Sequence, residues 1–432
     1  MLSDLISYQN IMEDAFDRQL SEKLSALKPF HGFISDKIGL ENEYLLVDEN
    51  LKPVNQSVRD KIISCVPLSN CEIGASQIEL NYLPTSVKDG YQSIYHHMKE
   101  CETQLSRALN KYGCYAVRLG FYPGRLSDIR ITDNAEVYQN VLDRYKTMRK
   151  KYVECSVGDI SLGERIHEFI AGGQSSQLNL QVDYNKAIIL LNKVIEVSPL
   201  FLALSANSPI VDERNSKYLD IRNVIWNNGY DLRELCEFVD NVSFRTIFPE
   251  DYYVSMTQYW NDMKKQVYMK WDPEHAFQNN QKMYWKLSRI KLLNGCCLLE
   301  TRFMSIQPDI KEELAMHLSM FAILSQCESE QTTFIPISFV KENFRRVTKY
   351  GINTPVFVSK QTGHAIVERD IKEVLEILLD KVIAYWRGKS DETADLISQT
   401  FQKRLQAGPP ALEQIQLLLK GGVKNVILKN II

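Results

Sequence analysis

Four short stretches of the chain alternate apolar and polar residues with a period of two: Ile38 to Leu45, Ser76 to Leu80, Gln177 to Asp183 and Leu298 to Phe303. This is the pattern of β-strands buried on one face. In a strand, residues i and i+2 point the same way. Glu41 and Glu43 therefore share a face, as do Gln77 and Glu79, Gln177 and Asn179, and Glu300 and Arg302. Ile78, Leu178, Leu180, Leu299 and Phe303 take the opposite face. Helical spacing of apolar positions predicts helices over about 5–28, 88–112, 184–205, 310–327 and 368–388. Strand groups interrupted by helices, without a regular βαβ rhythm, predict an α+β fold. Its sheet is mainly antiparallel, with one face solvated and the other packed on helices.

No segment has linker composition, and no repeat or low-complexity tract is visible. Residues 1–432 read as one domain whose part from 330 to 432 is helix-rich. The formal net charge is −3 and the pI is about 6.2, which gives no electrostatic reason to expect nucleic acid or an anionic membrane as partner. The longest apolar runs, such as Leu200 to Leu204, fall short of the roughly 18 residues that span a bilayer. The first residues carry acids where a secretion signal needs basic ones. Nine cysteines, an odd number with no CxxC pair, argue against a disulfide framework or a zinc site. Reduced thiols in a soluble, cytoplasmic protein are the reading that follows. His96-His97 and Cys296-Cys297 have no acid, base or further ligand at a useful spacing.

Side by side, the four strands would gather Glu41, Glu43, Glu79 and Glu300 on one face with Arg302 among them. Carboxylates that close repel and raise one another's pKa. A divalent ion is the usual compensation, and oxygen-only ligands favour Mg²⁺, with Mn²⁺ as substitute, over zinc. Mg²⁺ on few carboxylates completes its shell with water and phosphate oxygens. The pattern thus suggests a nucleotide-phosphate site that works through metal. No phosphate-binding glycine loop is present; Gly172-Gly173 lacks a following lysine. ATP, if used, would be held by metal.

Several segments resemble one known family. Gly39-Leu40-Glu41-Asn42-Glu43 with Val47-Asp48 is similar to the GxExE opening of the second glutamate–cysteine ligase family, which also holds bacterial carboxylate–amine ligases and the plant enzymes. Glu72-Ile73-Gly74-Ala75-Ser76-Gln77-Ile78-Glu79-Leu80 resembles its EPGxQxELS segment. Gln177-Leu178-Asn179-Leu180 resembles the QVNLD stretch of plant-type members. Ala203-Leu204-Ser205-Ala206-Asn207-Ser208-Pro209 resembles ALxANSP, Leu219-Asp220-Ile221-Arg222 with Ile225-Trp226 resembles LSxRxxIW, and Leu299-Glu300-Thr301-Arg302 resembles LExR.

The resemblance implies a glutamine synthetase-like fold, an antiparallel sheet curled into a funnel, and one catalytic domain. It implies an ATP-dependent ligase that phosphorylates the γ-carboxylate of glutamate and joins it to an amine, by default L-cysteine. By position, Glu43, Glu72 and Glu79 would hold one metal. Glu41 and Glu300 would hold a second that bridges the ATP phosphates, with Gln177 and Asn179 beside the nucleotide. Arg302, with Glu300, would serve the phosphoryl transfer, Arg222 would fix a substrate carboxylate, and Asn207 with Ser208 would shape the pocket floor. Trp226 reads as core. A different amine acceptor, or a non-catalytic relative used as a binding or regulatory subunit, are the alternatives. The partners expected are small-molecule substrates, and a homo-oligomer is left open.

Overall fold

A computed structural model describes residues 2–133, 156–157, 160–162, 169–229, 247–265, 273–327, 334–360 and 365–432. A seven-stranded antiparallel sheet forms its centre. The strands are β1 (Ile34–Val47), β2 (Ser69–Cys71), β3 (Gln77–Ser86), β4 (Tyr115–Val117), β5 (Ser176–Val182), β6 (Ser288–Leu293) and β7 (Cys296–Thr301). Their order is β6-β7-β5-β1-β3-β2, with β4 pairing the end of β1. All four alternating stretches read from the sequence lie on β1, β3, β5 and β7.

The alternation decides the faces. Ile38, Leu40, Tyr44 and Leu46 of β1, Ile78 and Leu80 of β3, and Leu178 and Leu180 of β5 are at most 2% exposed. They join one hydrophobic cluster with the helices behind the sheet. Those helices include α1 (Leu2–Ser25), α2 (Gln56–Ile63), α3 (Gln92–Asn110) and α4 (Ala187–Ser205). With them stand α6 (Met256–Lys264), α7 (Ala276–Met283) and α8 (Ile310–Gln326), whereas α5 (Ile221–Gly229) lies on the polar side of the sheet. The C-terminal part adds α9 (Ile337–Tyr350), α10 (Ile371–Trp386), α11 (Asp391–Ala407) and α12 (Pro410–Lys429). Val340, Leu375, Trp386 and Phe401 of that part belong to the same cluster as Tyr44 of β1, so it packs on the back of the sheet.

Two details differ from the sequence reading. The segment from 368 does not begin as helix: Ile366–Asp370 pairs with Pro355–Ser359 as a two-stranded ribbon, and α10 starts at Ile371, capped by Asp370. The stretch Tyr184–Ser205 is long and apolar enough to cross a membrane, at a mean hydropathy of 1.9, yet 72% of that window is buried within the protein. It is a core helix. Its internal Pro199 removes the N–H that Ile195 O would accept, and Ser198 Oγ donates to that carbonyl instead at 2.9 Å.

A buried polar network fastens the helices to the sheet. Arg118 is 1% exposed. Its guanidinium donates to Glu313 of α8 at 3.0 Å and, through Nε, to Glu102 of α3 at 2.8 Å. Asn42 of β1 donates to Glu313 at 2.7 Å, and Tyr44 of β1 donates to Glu102 at 3.0 Å. Ser176 Oγ reaches Asn42 at 2.9 Å and His317 Nε2 at 2.6 Å. Burial alone holds the His317 pKa down at about 3, so the ring is neutral.

The β6–β7 hairpin closes with Asn294 and Gly295, both at positive φ (54° and 77°). That is the two-residue turn whose twist suits a hairpin. It sets Arg289 opposite Glu300 and Lys291 opposite Leu298. On the other side of the sheet, a bulge places Leu83 and Pro84 opposite Gly39, where proline costs no ladder bond. The freed Leu83 N–H donates to His97 Nε2 at 3.1 Å, which gives that histidine a structural task.

Candidate active site

The register carries the polar face into one row. Glu43 stands opposite Glu79, Glu41 opposite Gln177, Asn179 opposite Glu300, and Glu300 opposite Arg289. Above this row lies a cavity of about 500 Å³. Glu41, Glu43, Glu72, Glu79 and Asn81 line it toward the β2–β3 edge, and Arg289, Lys291 and Arg302 toward the β6–β7 edge. Arg222, Trp226, Trp285, Phe121, Phe169 and Lys282 are among the other residues that line it.

Glu43, Glu72 and Glu79 come together: one carboxylate oxygen from each lies within 4.8 Å of the others. Glu43 and Glu79 come from neighbouring strands; Glu72 comes from the loop between β2 and β3. That loop is held by buried groups. Arg59 of α2 donates to Gly74 O at 3.2 Å, Gln77 O at 3.3 Å and Thr132 Oγ1 at 2.9 Å. Gln77 accepts from Gly74 N at 2.7 Å and donates to Gly173 O. A Cβ on Gly74 would stand 2.5 Å from Ala171 O, so only glycine lets the loop run this close.

Arg302 offsets only part of the charge of this trio. Burial, then the charge of Glu43, pushes Glu72 up to about 7. Burial, then the charges of Glu41, Glu72 and Glu43, raises Glu79 well above the ordinary carboxylate range. Convergent oxygens from three carboxylates, with Glu72 and Glu79 pushed up by burial and by their neighbours, fit a hard divalent ion. Their remaining bonds orient them: Ser175 N donates to Glu43 at 2.7 Å, Asn81 to Glu79 at 2.8 Å, and Ile73 N to Glu72 at 3.1 Å.

The second expected metal position is different. Glu300 is fully buried and lies beneath the lining rather than in it. Its carboxylate pairs with Arg289, Lys291 and Arg302, the last at 3.0 Å. Despite burial, those cations hold its pKa well below the usual range. Lys291 Nζ also lies 3.5 Å from Glu41, and Asn179 Nδ2 donates to Glu41 at 2.9 Å. Glu41 and Glu300, read as ligands of a second ion, are bridged by an ammonium of the chain. Asn179 and Gln177 likewise support the cavity from below instead of lining it. Gln177 donates to Glu43 at 2.9 Å and accepts from Arg302 at 2.9 Å.

Asn207 does not reach the cavity. It is fully buried, donates to Ile306 O at 2.6 Å and Arg118 O at 3.4 Å, and accepts from Gln414 through its backbone O at 2.9 Å. Its place after α4 makes it a chain anchor, and Ser208 Oγ, which accepts from Arg222 N at 3.2 Å, starts α5. Arg222 does line the cavity, but one N–H of each terminal nitrogen is committed, to Phe303 O at 3.1 Å and Arg302 O at 3.0 Å. Trp226 is both core and wall: 6% exposed, it lines the cavity, with the guanidinium carbons of Arg222 and Arg302 over its ring at 5.1 and 5.8 Å. Sequence reasoning missed Arg289 and Lys291. The alternation of Ser288 to Leu292 before Asn294-Gly295 is the signal that would have found them.

Two solved structures share this architecture. The glutamate–cysteine ligase of Francisella tularensis, in complex with AMP, is 15% identical, with 93% of this chain and 89% of that one covered at a TM-score of 0.63. A bifunctional glutathione synthetase from Pasteurella multocida is 13% identical, with 97% of this chain and 54% of that one covered at a TM-score of 0.58. At these identities the likeness is one of fold, and the glutamine synthetase-like sheet expected from the motifs is present. No curated protein sequence matches the chain. The family profile of glutamate–cysteine ligase family 2 matches residues 37–354. That span includes every strand of the main sheet except the first residues of β1, and every residue that lines the cavity. The chain belongs to glutamate–cysteine ligase family 2.

Proposed function

We propose that the protein is an ATP- and Mg²⁺-dependent ligase that joins the γ-carboxylate of glutamate to an amine, with L-cysteine as the default acceptor and γ-glutamylcysteine as product. One observation carries this: Glu43, Glu72 and Glu79 converge within 4.8 Å in the same cavity that holds Arg222, Arg289, Lys291 and Arg302. A site with an ion-binding carboxylate trio at one edge and a cluster of cations at the other is built for a polyphosphate and an acid.

Glu43, Glu72 and Glu79 would hold Mg²⁺, or Mn²⁺ in its place. Bound there, the ion supplies charge neutralisation and alignment of phosphate oxygens. Arg302 is fixed by Glu300 and Gln177, and its Nε is buried with no partner among the described residues. The guanidinium of Arg302, which lines the cavity, suits an incoming anionic oxygen. In the reaction a γ-carboxylate oxygen of glutamate attacks the terminal phosphorus of ATP, and ADP leaves. Arg302 stabilises the charge spread over the transferring group. The amine nitrogen then attacks the acyl carbon, the tetrahedral oxyanion collapses, and inorganic phosphate departs as the amide forms. Arg222, with its second N–H on each terminal nitrogen, is assigned to the substrate carboxylate.

The test is ADP release by the full chain with Mg²⁺, ATP and glutamate, across a panel of amines. ADP formation that needs glutamate and one amine identifies the acceptor. No ADP with any combination, and no ATP binding, would leave a non-catalytic binding role and end the ligase reading.

A further inference from the structure

The position of Lys291 speaks to how many ions the cavity takes. Its side chain is 13% exposed, and its Nζ lies 3.5 Å from Glu41 while also pairing with Glu300. These are the two carboxylates that the family resemblance assigns to a second metal. The surroundings are already cationic. Arg289, Lys291 and Arg302 pair with Glu300 and Lys291 also with Glu41, three positive charges against these two negative ones, with Glu43 acting on Arg302 as well. Asn179 Oδ1 is left without a partner among the described residues, but one neutral oxygen does not offset a further dication. Like charges at this spacing in a buried site disfavour one another strongly. The trio of Glu43, Glu72 and Glu79 has the opposite imbalance.

We propose that Lys291 takes the place of the second divalent ion. Its ammonium bridges Glu41 and Glu300 and, with Arg289 and Arg302, forms the cationic wall for the nucleotide phosphates. The chain then works with the single ion of the Glu43, Glu72 and Glu79 site. The inference rests on the ligase reading for its nucleotide but not for its ion count. Lysine binds phosphate as a compact point charge and needs no fixed coordination geometry, so it can substitute for the charge of a metal without its shell.

The experiment counts ions directly. Metal-stripped full-length protein is titrated with Mn²⁺, alone and with an equimolar non-hydrolysable ATP analogue, and free Mn²⁺ is read by electron paramagnetic resonance. One ion per chain is expected, kept in Glu41→Gln and lost in Glu43→Gln. Two ions, one of them lost in Glu41→Gln, overturn the proposal, and so does no bound ion. ATP binding is then followed by tryptophan fluorescence, without turnover. Lys291→Met should weaken it by at least about 30-fold, as expected when a buried charge partner is removed, and Lys291→Arg should recover most of the loss. Circular dichroism melting checks that each variant folds. Unchanged ATP affinity in folded Lys291→Met overturns the proposal. Absence of ADP formation by the wild-type chain would sink the ligase reading alone, since the ion count and the ATP affinity are read without catalysis.

Discussion

Gln177 and Arg302 are joined by a 2.9 Å hydrogen bond from the guanidinium to the side-chain amide oxygen. The other end of the same amide donates to Glu43 at 2.9 Å. One neutral side chain thus connects the carboxylate edge of the cavity to its cationic edge. Replacing it by leucine keeps the volume and removes both bonds. We expect Gln177→Leu to lower kcat for ADP release by about 100-fold or more, the scale for losing a preorganised donor at a developing charge. A near-normal kcat in a folded Gln177→Leu protein would show that Arg302 needs no such support.

The carboxylate trio makes stability depend on pH and on metal in a definite direction. Glu72 has a folded pKa of about 7 against an ordinary value of 4.5. Without metal, the folded protein binds the extra proton between these values, so this contribution is fully present below pH 4.5 and is lost as pH rises through 7. The loss is about 3 kcal/mol. The metal-free chain should therefore melt at lower temperature at about pH 8 than at about pH 6. Glu72→Gln should flatten that dependence, and Mn²⁺ should restore the wild-type melting temperature at the higher pH. Differential scanning calorimetry with chelator and with Mn²⁺ reads all three.

Gly74 carries the loop that delivers Glu72, and a methyl group there would meet Ala171 O and Gln77 Oε1 at 2.5 Å. Backbone on one side leaves the loop to move. Gly74→Ala should cost about 1–3 kcal/mol of stability and weaken Mn²⁺ binding more than tenfold, on the order of the same strain. Titration of Mn²⁺ against the folded variant checks it; intact affinity would mean that Glu72 is not positioned by this loop.

On the far side of the sheet, Arg118 neutralises Glu102 and Glu313, both fully enclosed. Its removal leaves Glu313 without its cation and Glu102 with only the exposed Lys99, 3.8 Å away. Arg118→Met should destabilise the fold by about 3–5 kcal/mol, read by urea denaturation, while the cavity-side residues keep their own partners.

The strands were legible because one face of each is buried, which writes a period of two into the sequence. From that, Glu41 could be placed beside Glu43 and Glu300 beside Arg302, while a face common to all of them, with Glu79, also needed the strands to adjoin. Glu72 could not, since it lies in a loop, and only the family resemblance pointed to it. The roles within the face were less visible. Whether Glu300 meets an ion or a guanidinium depends on which strand pairs with it, and β6 was not read. Asn207 looked like a pocket residue because its motif was familiar; its bonds to Ile306 and Gln414 come from segments distant in sequence. The hydropathy of α4 reflects burial by helices on several sides, which a one-dimensional window cannot separate from burial in lipid.

The Asn294-Gly295 turn has a reach beyond its own two residues. A strand slipped by a single position presents its opposite side. Lengthening this loop by one residue would swing Arg289 and Lys291 toward the helices and bring Ile290 and Leu292 up among the glutamates. The charge balance of the cavity is therefore set by the tightness of a bend at the edge of the sheet, and insertions there should be far less tolerated than in an ordinary surface connection.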